Sequence, residues 1–271
     1  TGSNVSFVIP RRNWTAGTVY DIYRHDYGEY TTGSTSVRKT SNSGATTLFD
    51  SNFYVLSSAR NVYKCLDNNG GATSTDEPTG VSTSVITTTD SYKWKFMYTL
   101  SAAQQANFLS TDFMAVSPNS NPSSDQSNVI SAAVDGSIDI VKIKTPGSGG
   151  TNGTCTNIPI RGDGSGGLAT VVVGGGQVTS VTVTTPGTGY TFATISNAQI
   201  VSAGATNLAG SELDVIIPPK GGHGANAQKE LGAFFVMMNT SLEGTESANS
   251  GDFSAVNDFR KIALFRNPTK S

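Results

Sequence analysis

The 271-residue chain is poor in charge, in histidine and in cysteine. Charged residues make up only 14% of it and the net charge is -2, so it has no global electrostatic attraction for nucleic acid or an anionic membrane. Its two histidines, His25 and His223, have no second His or Cys near them in sequence, which argues against a zinc centre. The two cysteines, Cys65 and Cys155, fall in segments that read as different modules, so buried free thiols are expected ahead of a disulfide. No apolar run approaches the roughly 18 residues of a membrane span, and the first residues carry no signal-peptide pattern. Thr1 is not an initiating methionine, which leaves room for a trimmed leader. Four Asn-x-Ser/Thr matches, at Asn4, Asn13, Asn152 and Asn239, carry no weight in a chain this rich in those residues. Long helical patterns are scarce as well. Ser, Thr, Asn and Gly fill the polar fraction, a mixture suited to short strands and tight turns.

What is present is β periodicity. Tyr92, Trp94, Phe96 and Tyr98 alternate with Lys93, Lys95 and Met97, which puts four aromatics on one strand face. An exposed stripe of this kind would be a platform for a sugar or a base, but clean alternation favours burial. Tyr92, Trp94, Phe96 and Tyr98 are therefore expected in the core, with Val62, Cys65 and Leu66 from an earlier strand that ends at an Asn-Asn-Gly-Gly turn.

Four segments follow from composition. Residues 1–48 read as an N-terminal arm with a strand near 19–23 and a Ser/Thr-rich loop over 34–47. Residues 49–130 form a front β-rich domain. It contains a strand over 53–56, one short helix opened by the Ser101/Gln104 capping box, and a linker from about 117. Residues 131–218 hold a duplication. Val141-Lys142-Ile143-Lys144-Thr145-Pro146-Gly147 realigns on Val181-Thr182-Val183-Thr184-Thr185-Pro186-Gly187 after a shift of 40 positions (141 to 181). Closing strands are expected over 168–173 and 213–217, and the two copies are expected to pair into one small sandwich or barrel. Residues 219–271 read as C-terminal strands that pack back or dock on a neighbour. The apolar run 234–238 is expected to be buried on both faces, 243–253 to be an exposed loop, and a last strand to stop at Pro268. The expected fold is mainly β with minor α (α+β), multi-domain, built of sandwich- or barrel-like modules with one short helix in the front domain.

No motif carries chemistry. Gly221-Gly222-His223-Gly224 lacks the Lys-Ser/Thr ending of a phosphate loop, and Gly162-Asp163-Gly164 has too few carboxylates for calcium. His25 lies in an extended stretch, and His223 reads as a turn residue that contacts a neighbour. No Gly-x-Ser-x-Gly elbow occurs. Asp67, Asp76, Glu77 and Asp90 could form a glycosidase pair, yet all flank turns, where Asp is common for backbone reasons. No catalytic, cofactor-binding or metal-binding residue is assigned, and no cofactor is expected.

The strings Phe53-Tyr54-Val55-Leu56, Asn61-Val62-Tyr63-Lys64-Cys65-Leu66-Asp67-Asn68, Pro78-Thr79-Gly80 and Asp90-Ser91-Tyr92-Lys93-Trp94-Lys95-Phe96-Met97-Tyr98 resemble the baseplate wedge subunit of T4-like contractile-tailed bacteriophages, the family of gene product eight. Gly221-Gly222-His223-Gly224 and Asp258-Phe259-Arg260-Lys261-Ile262-Ala263-Leu264 are similar to it as well. The resemblance implies a non-enzymatic virion protein of the tail baseplate, assembled in the host cytoplasm. It implies a homodimer within each wedge and contacts with other baseplate wedge and tail proteins, with no nucleic acid partner and no membrane insertion. It also implies a family chain that runs further at the C-terminus. Two other readings stand beside it: a glycan-binding adhesin using the aromatic strand or the repeat loops, and a polysaccharide hydrolase using Asp67, Asp76 or Asp90.

Overall fold

In the computed structural model, residues 4–32, 35–39, 41–241 and 260–266 are described. Strand β1 (Val5–Pro10) opens the chain, and β2 (Gly28–Thr32) pairs with β3 (Thr35–Lys39) as a hairpin. That hairpin replaces part of the loop expected over 34–47. The strand expected near 19–23 does not form. This segment is irregular but buried at Tyr20, Asp21, Ile22 and Tyr23, because its side chains plug the front sheet instead of joining it.

The front sheet is antiparallel and contains β4 (Tyr54–Leu56), β5 (Asn61–Asp67), β6 (Ile86–Thr87) and β7 (Lys93–Thr99), in the order β4-β5-β7-β6. Central β7 is buried on both faces, and Val62, Cys65, Leu66, Tyr92, Trp94, Phe96 and Tyr98 are all buried. Two register shifts in the β5–β7 ladder, at Val62/Tyr63 and at Cys65/Asp67, divide the aromatic stripe. Tyr92, Trp94 and Phe96 pack with Tyr20, Tyr63 and Cys65, whereas Tyr98 joins Val62, Leu66 and Met97 in a second core. Tyr92 stacks on Trp94 at 5.5 Å between ring centroids, and Tyr20 meets Trp94 edge-on at 5.6 Å. Burying tyrosines requires partners for their hydroxyls: Tyr92 Oη donates to Ala72 O, Tyr63 Oη to Gly80 O and Tyr98 Oη to Ala115 O.

Helix α1 (Ala102–Phe108) begins with the reciprocal Ser101/Gln104 capping box that its sequence announces, and β8 (Phe113–Ala115) follows. The stretch read as a linker then carries a second helix, α2 (Ser124–Ala132), with Ser123 as N-cap and Val129 and Gln126 buried. Ser and Asn made this stretch look like linker. Ser is also the preferred helix cap, and tertiary packing of Val129 decides between the two.

The duplicated unit runs through β9 (Ile140–Ser148), β10 (Gly153–Pro159), β11 (Arg161–Gly162), β12 (Leu168–Gly174), β13 (Gln177–Thr185), β14 (Ala193–Thr194), α3 (Asn197–Ser202) and β15 (Ala209–Ile216). The copies interlock. The closing strand of the first, β12, pairs with the opening strand of the second, β13, and closing β15 pairs back with opening β9. One core results, holding Val141, Cys155, Val171, Val178, Ile195 and Val215 among others. The repeat is visible in the backbone: Gly147 and Gly187 lie at φ +72 and +70. At Gly187 a Cβ would fall 2.6 Å from Gly167 N, so only glycine fits. The copies diverge after their strands. The segment aligned with β10, residues 193–199, holds the short β14 and the start of helix α3 in the second copy, where Ser196 and Gln199 form a capping box.

Helix α4 (Ala227–Glu230), β16 (Phe235–Ser241) and β17 (Arg260–Arg266) complete the chain, and both ends share one sheet in the order β17-β16-β1-β8. The run 234–238 is not buried on both faces as expected. Phe234, just before β16, is 44% exposed and Met238 on the strand 36%, whereas Met237 on the opposite face is buried, so only part of this sheet is covered. The loop expected over 243–253 and the stop at Pro268 lie outside the described residues. The fold is thus mainly β with a minor helical part, and four α-helices occur among the described residues.

Candidate functional site

The face of β5 and β7 that bears the lysines is sealed rather than solvated. Lys64 and Lys95 sit directly opposite each other across the ladder, 0% and 6% exposed. Two buried like charges side by side need counter-charge. Glu230, at the end of α4, supplies it to Lys64 as a buried ion pair. The same carboxylate accepts hydrogen bonds from Gly224 N at 3.0 Å and Asn226 N at 2.9 Å, so it also ties down the glycine loop before α4. Lys95 Nζ donates to Thr83 O at 2.5 Å, and the half-buried Asp139 acts on both lysines through space. Burial pushes the Lys64 ammonium pKa down, with Glu230 pulling it back up. Burial likewise raises the Asp139 carboxyl.

His223 completes this centre from within. His223 lies in a turn as expected, but its expected contact with a neighbour is corrected: the ring is 5% exposed and meets Tyr23 edge-on at 4.9 Å. Burial, then Lys64 and Lys95, hold its pKa well below the ordinary value, so the ring stays neutral. The flanking glycines make this placement possible. Gly222 lies at φ +92, and a Cβ there would fall 2.3 Å from Val134 O just beyond α2. Chemically the arrangement is a buried ion-pair centre that ties β5 and β7 to the glycine loop, with α2 packed against that loop through Val129. Alternation put Lys95 opposite the aromatics but left Glu230 and Asp139 invisible. The one available signal was the glycine density of residues 221–224, which marks close backbone approach.

A cleft separates the front sheet from the duplicated module. One recess of about 270 Å3 is lined by Thr87, Lys93, Asp139 and Pro186, and a second of about 400 Å3 by Asp67, Ser91 and Lys142. Lys93 and Thr182 line both. The modules are stitched across it by Lys142–Asp67 at 2.6 Å and by Arg24, which bridges Asp26 and Asp214. His25 belongs to the same seam, its Nδ1 accepting from Ile217 N at 3.2 Å.

The carboxylates considered for hydrolysis serve turns. Asp76 accepts from Thr89 N and Oγ1, both at 2.8 Å, and Glu77 accepts from Ser58 N and Oγ, both at 2.7 Å. Asp90 gathers Ser74, Thr75, Asp76, Thr88 and Tyr92 around its two oxygens. Partial burial pushes its pKa up, but these bonds, Thr88 first, outweigh it and hold the carboxyl at about 2 against an ordinary 3.8. A carboxyl held low in the folded chain contributes stability above its unfolded pKa and loses it as pH falls through the folded one. Acid titration followed by tryptophan fluorescence should therefore show stability declining between roughly pH 4 and pH 2. Asp90→Asn should be less stable at neutral pH and flatter through that window. Superimposable acid profiles for the two proteins would remove Asp90 as an acid-sensitive clasp.

Both cysteines are buried and free, and burial raises the Cys65 thiol pKa. Among the described residues no cluster of three or more His, Cys, Asp or Glu is placed to hold a metal, and no helix is long and apolar enough to cross a membrane. Trp94, proposed as part of a glycan platform, is 0% exposed, so the aromatic strand cannot present a sugar-binding face. No family model, curated protein or solved structure matches the chain.

Proposed function

We propose that the chain is a structural subunit of a contractile-tail phage baseplate wedge, working through subunit contacts in the virion tail. One observation carries the reading. The strings that resemble that family lie far apart in sequence, at 61–68, 90–98 and 221–224, yet they meet at the Lys64–Glu230 centre. A resemblance spread over distant strings is more specific when those strings form one physical unit. The interlocked repeat closes into one core and an ion pair ties it to the front sheet, which suits a subunit that works through its contacts. Its partners on this reading are other wedge and tail proteins and a second copy of itself. Co-expression with the tail proteins encoded in the same genome tests it. A stable complex on size exclusion is expected, with six-fold-related copies at the tail end in a particle map. A monomer that joins none of those proteins would overturn the proposal.

A further inference from the structure

The duplicated module displays Phe192 at its surface, 61% exposed and the most exposed large apolar side chain among the described residues. The loop around it is held rigidly. Asp163 accepts from Thr191 Oγ1 at 2.5 Å, Thr191 N at 2.9 Å and Phe192 N at 3.1 Å. On one side β11 pairs with β14, so close that a Cβ on Gly162 would fall 2.1 Å from Phe192 O. On the other, Tyr190 is buried, its hydroxyl donating to Ile160 O at 2.8 Å. The ring is thus held out into solvent by a loop with little freedom left to lose.

In the same module lies a recess of about 440 Å3 with Ile158, Pro159, Ala198 and Ala203 in its lining and Arg161 at its polar edge. The Arg161 guanidinium is exposed and makes no ion pair or hydrogen bond among the described residues. We infer that Phe192, this recess and Arg161 form a docking surface for a different tail protein, not a second copy of this chain, that offers an apolar pocket rimmed by a carboxylate. An aromatic side chain fixed in advance makes an interface anchor at small entropic cost, and an unpaired guanidinium selects a carboxylate. A sugar fits less well. A glycan site needs acceptors as well as donors beside the ring, and the oxygens of the neighbouring carboxylate, Asp163, are already taken by the loop itself.

The inference rests on the structural-subunit reading, and the experiment separates the two. The full chain carrying a photo-crosslinking phenylalanine analogue at position 192 is co-expressed with the tail proteins of the same genome. A crosslink to one of those proteins is expected. Phe192→Ser and Arg161→Glu should each weaken that complex at least about tenfold without moving the melting temperature. Asp163→Asn, which loosens the loop but keeps the ring, should weaken it to an intermediate degree. If the complex forms but Phe192→Ser leaves it intact and position 192 crosslinks nothing, the docking surface is wrong and the structural reading stands. If the unaltered chain joins no tail protein, both fall. Crosslinking only to a second copy, or a glycan-array signal lost in Phe192→Ser, would also overturn the inference.

Discussion

Glu230→Gln is expected to destabilise the chain by about 3–5 kcal/mol, because it leaves the Lys64 ammonium buried without its counter-charge. For a chain of this size that corresponds to a fall in melting temperature on the order of 10 °C. The amide oxygen can still accept from Gly224 and Asn226, so the loss reports the ion pair more than the loop. Two further measurements sharpen the result. In the variant, Lys64 is driven towards its neutral form, so its folded pKa lies below the unfolded value. The unfolded chain then binds more protons at neutral pH, and the deficit should shrink as pH rises towards about 10. The double variant Lys64→Met/Glu230→Gln, which removes both charges, should recover part of the loss. A single variant that melts within a degree or two of the unaltered chain would mean the ion pair contributes nothing to stability.

Trp94→Ala should cost a comparable amount, about 3–5 kcal/mol, since it empties the middle of the front core between Tyr92 and Tyr20. Trp94→Phe separates two contributions to that loss. The Trp94 Nε1–H is buried with no hydrogen-bond partner among the described residues, so the unaltered side chain already carries a desolvation cost. Phenylalanine keeps much of the stacking surface and removes the unpaired donor, so its penalty should be well under half that of alanine. Denaturant unfolding of the three proteins measures this. Equal losses for Phe and Ala would indicate that the indole N–H has a partner and matters more than packing. Either way the effect would be on folding. A Trp94 variant that folded normally and lost only glycan binding would contradict the buried position of the ring.

Where side-chain pattern and turn chemistry agree, the sequence was readable. Alternation located β7 and the buried character of Tyr92, Trp94, Phe96 and Tyr98, and a capping box located α1. The 40-residue duplication located corresponding strands that end at matching glycines, 147 and 187, which share a left-handed backbone. Other elements were hidden for specific reasons. Helix α2 sits in a Ser/Asn-rich stretch whose helicity depends on Val129 packing against Gly224. Met238 in β16 and Phe234 just before it are as apolar as core residues, and nothing local says that both are left exposed.

By itself, the amino-acid sequence determined the mainly β class, the repeat, the turn positions and the aromatic core. Each of these depends on neighbours two to four residues away, or on a periodicity of the same kind. The tertiary structure alone decided that the repeat copies exchange closing strands, that His223 turns inward, and that Glu230 reaches Lys64. These are pairings between residues far apart in the chain, and buried charge is tolerated only where a partner arrives from elsewhere in the fold. No local pattern encodes which partner that will be.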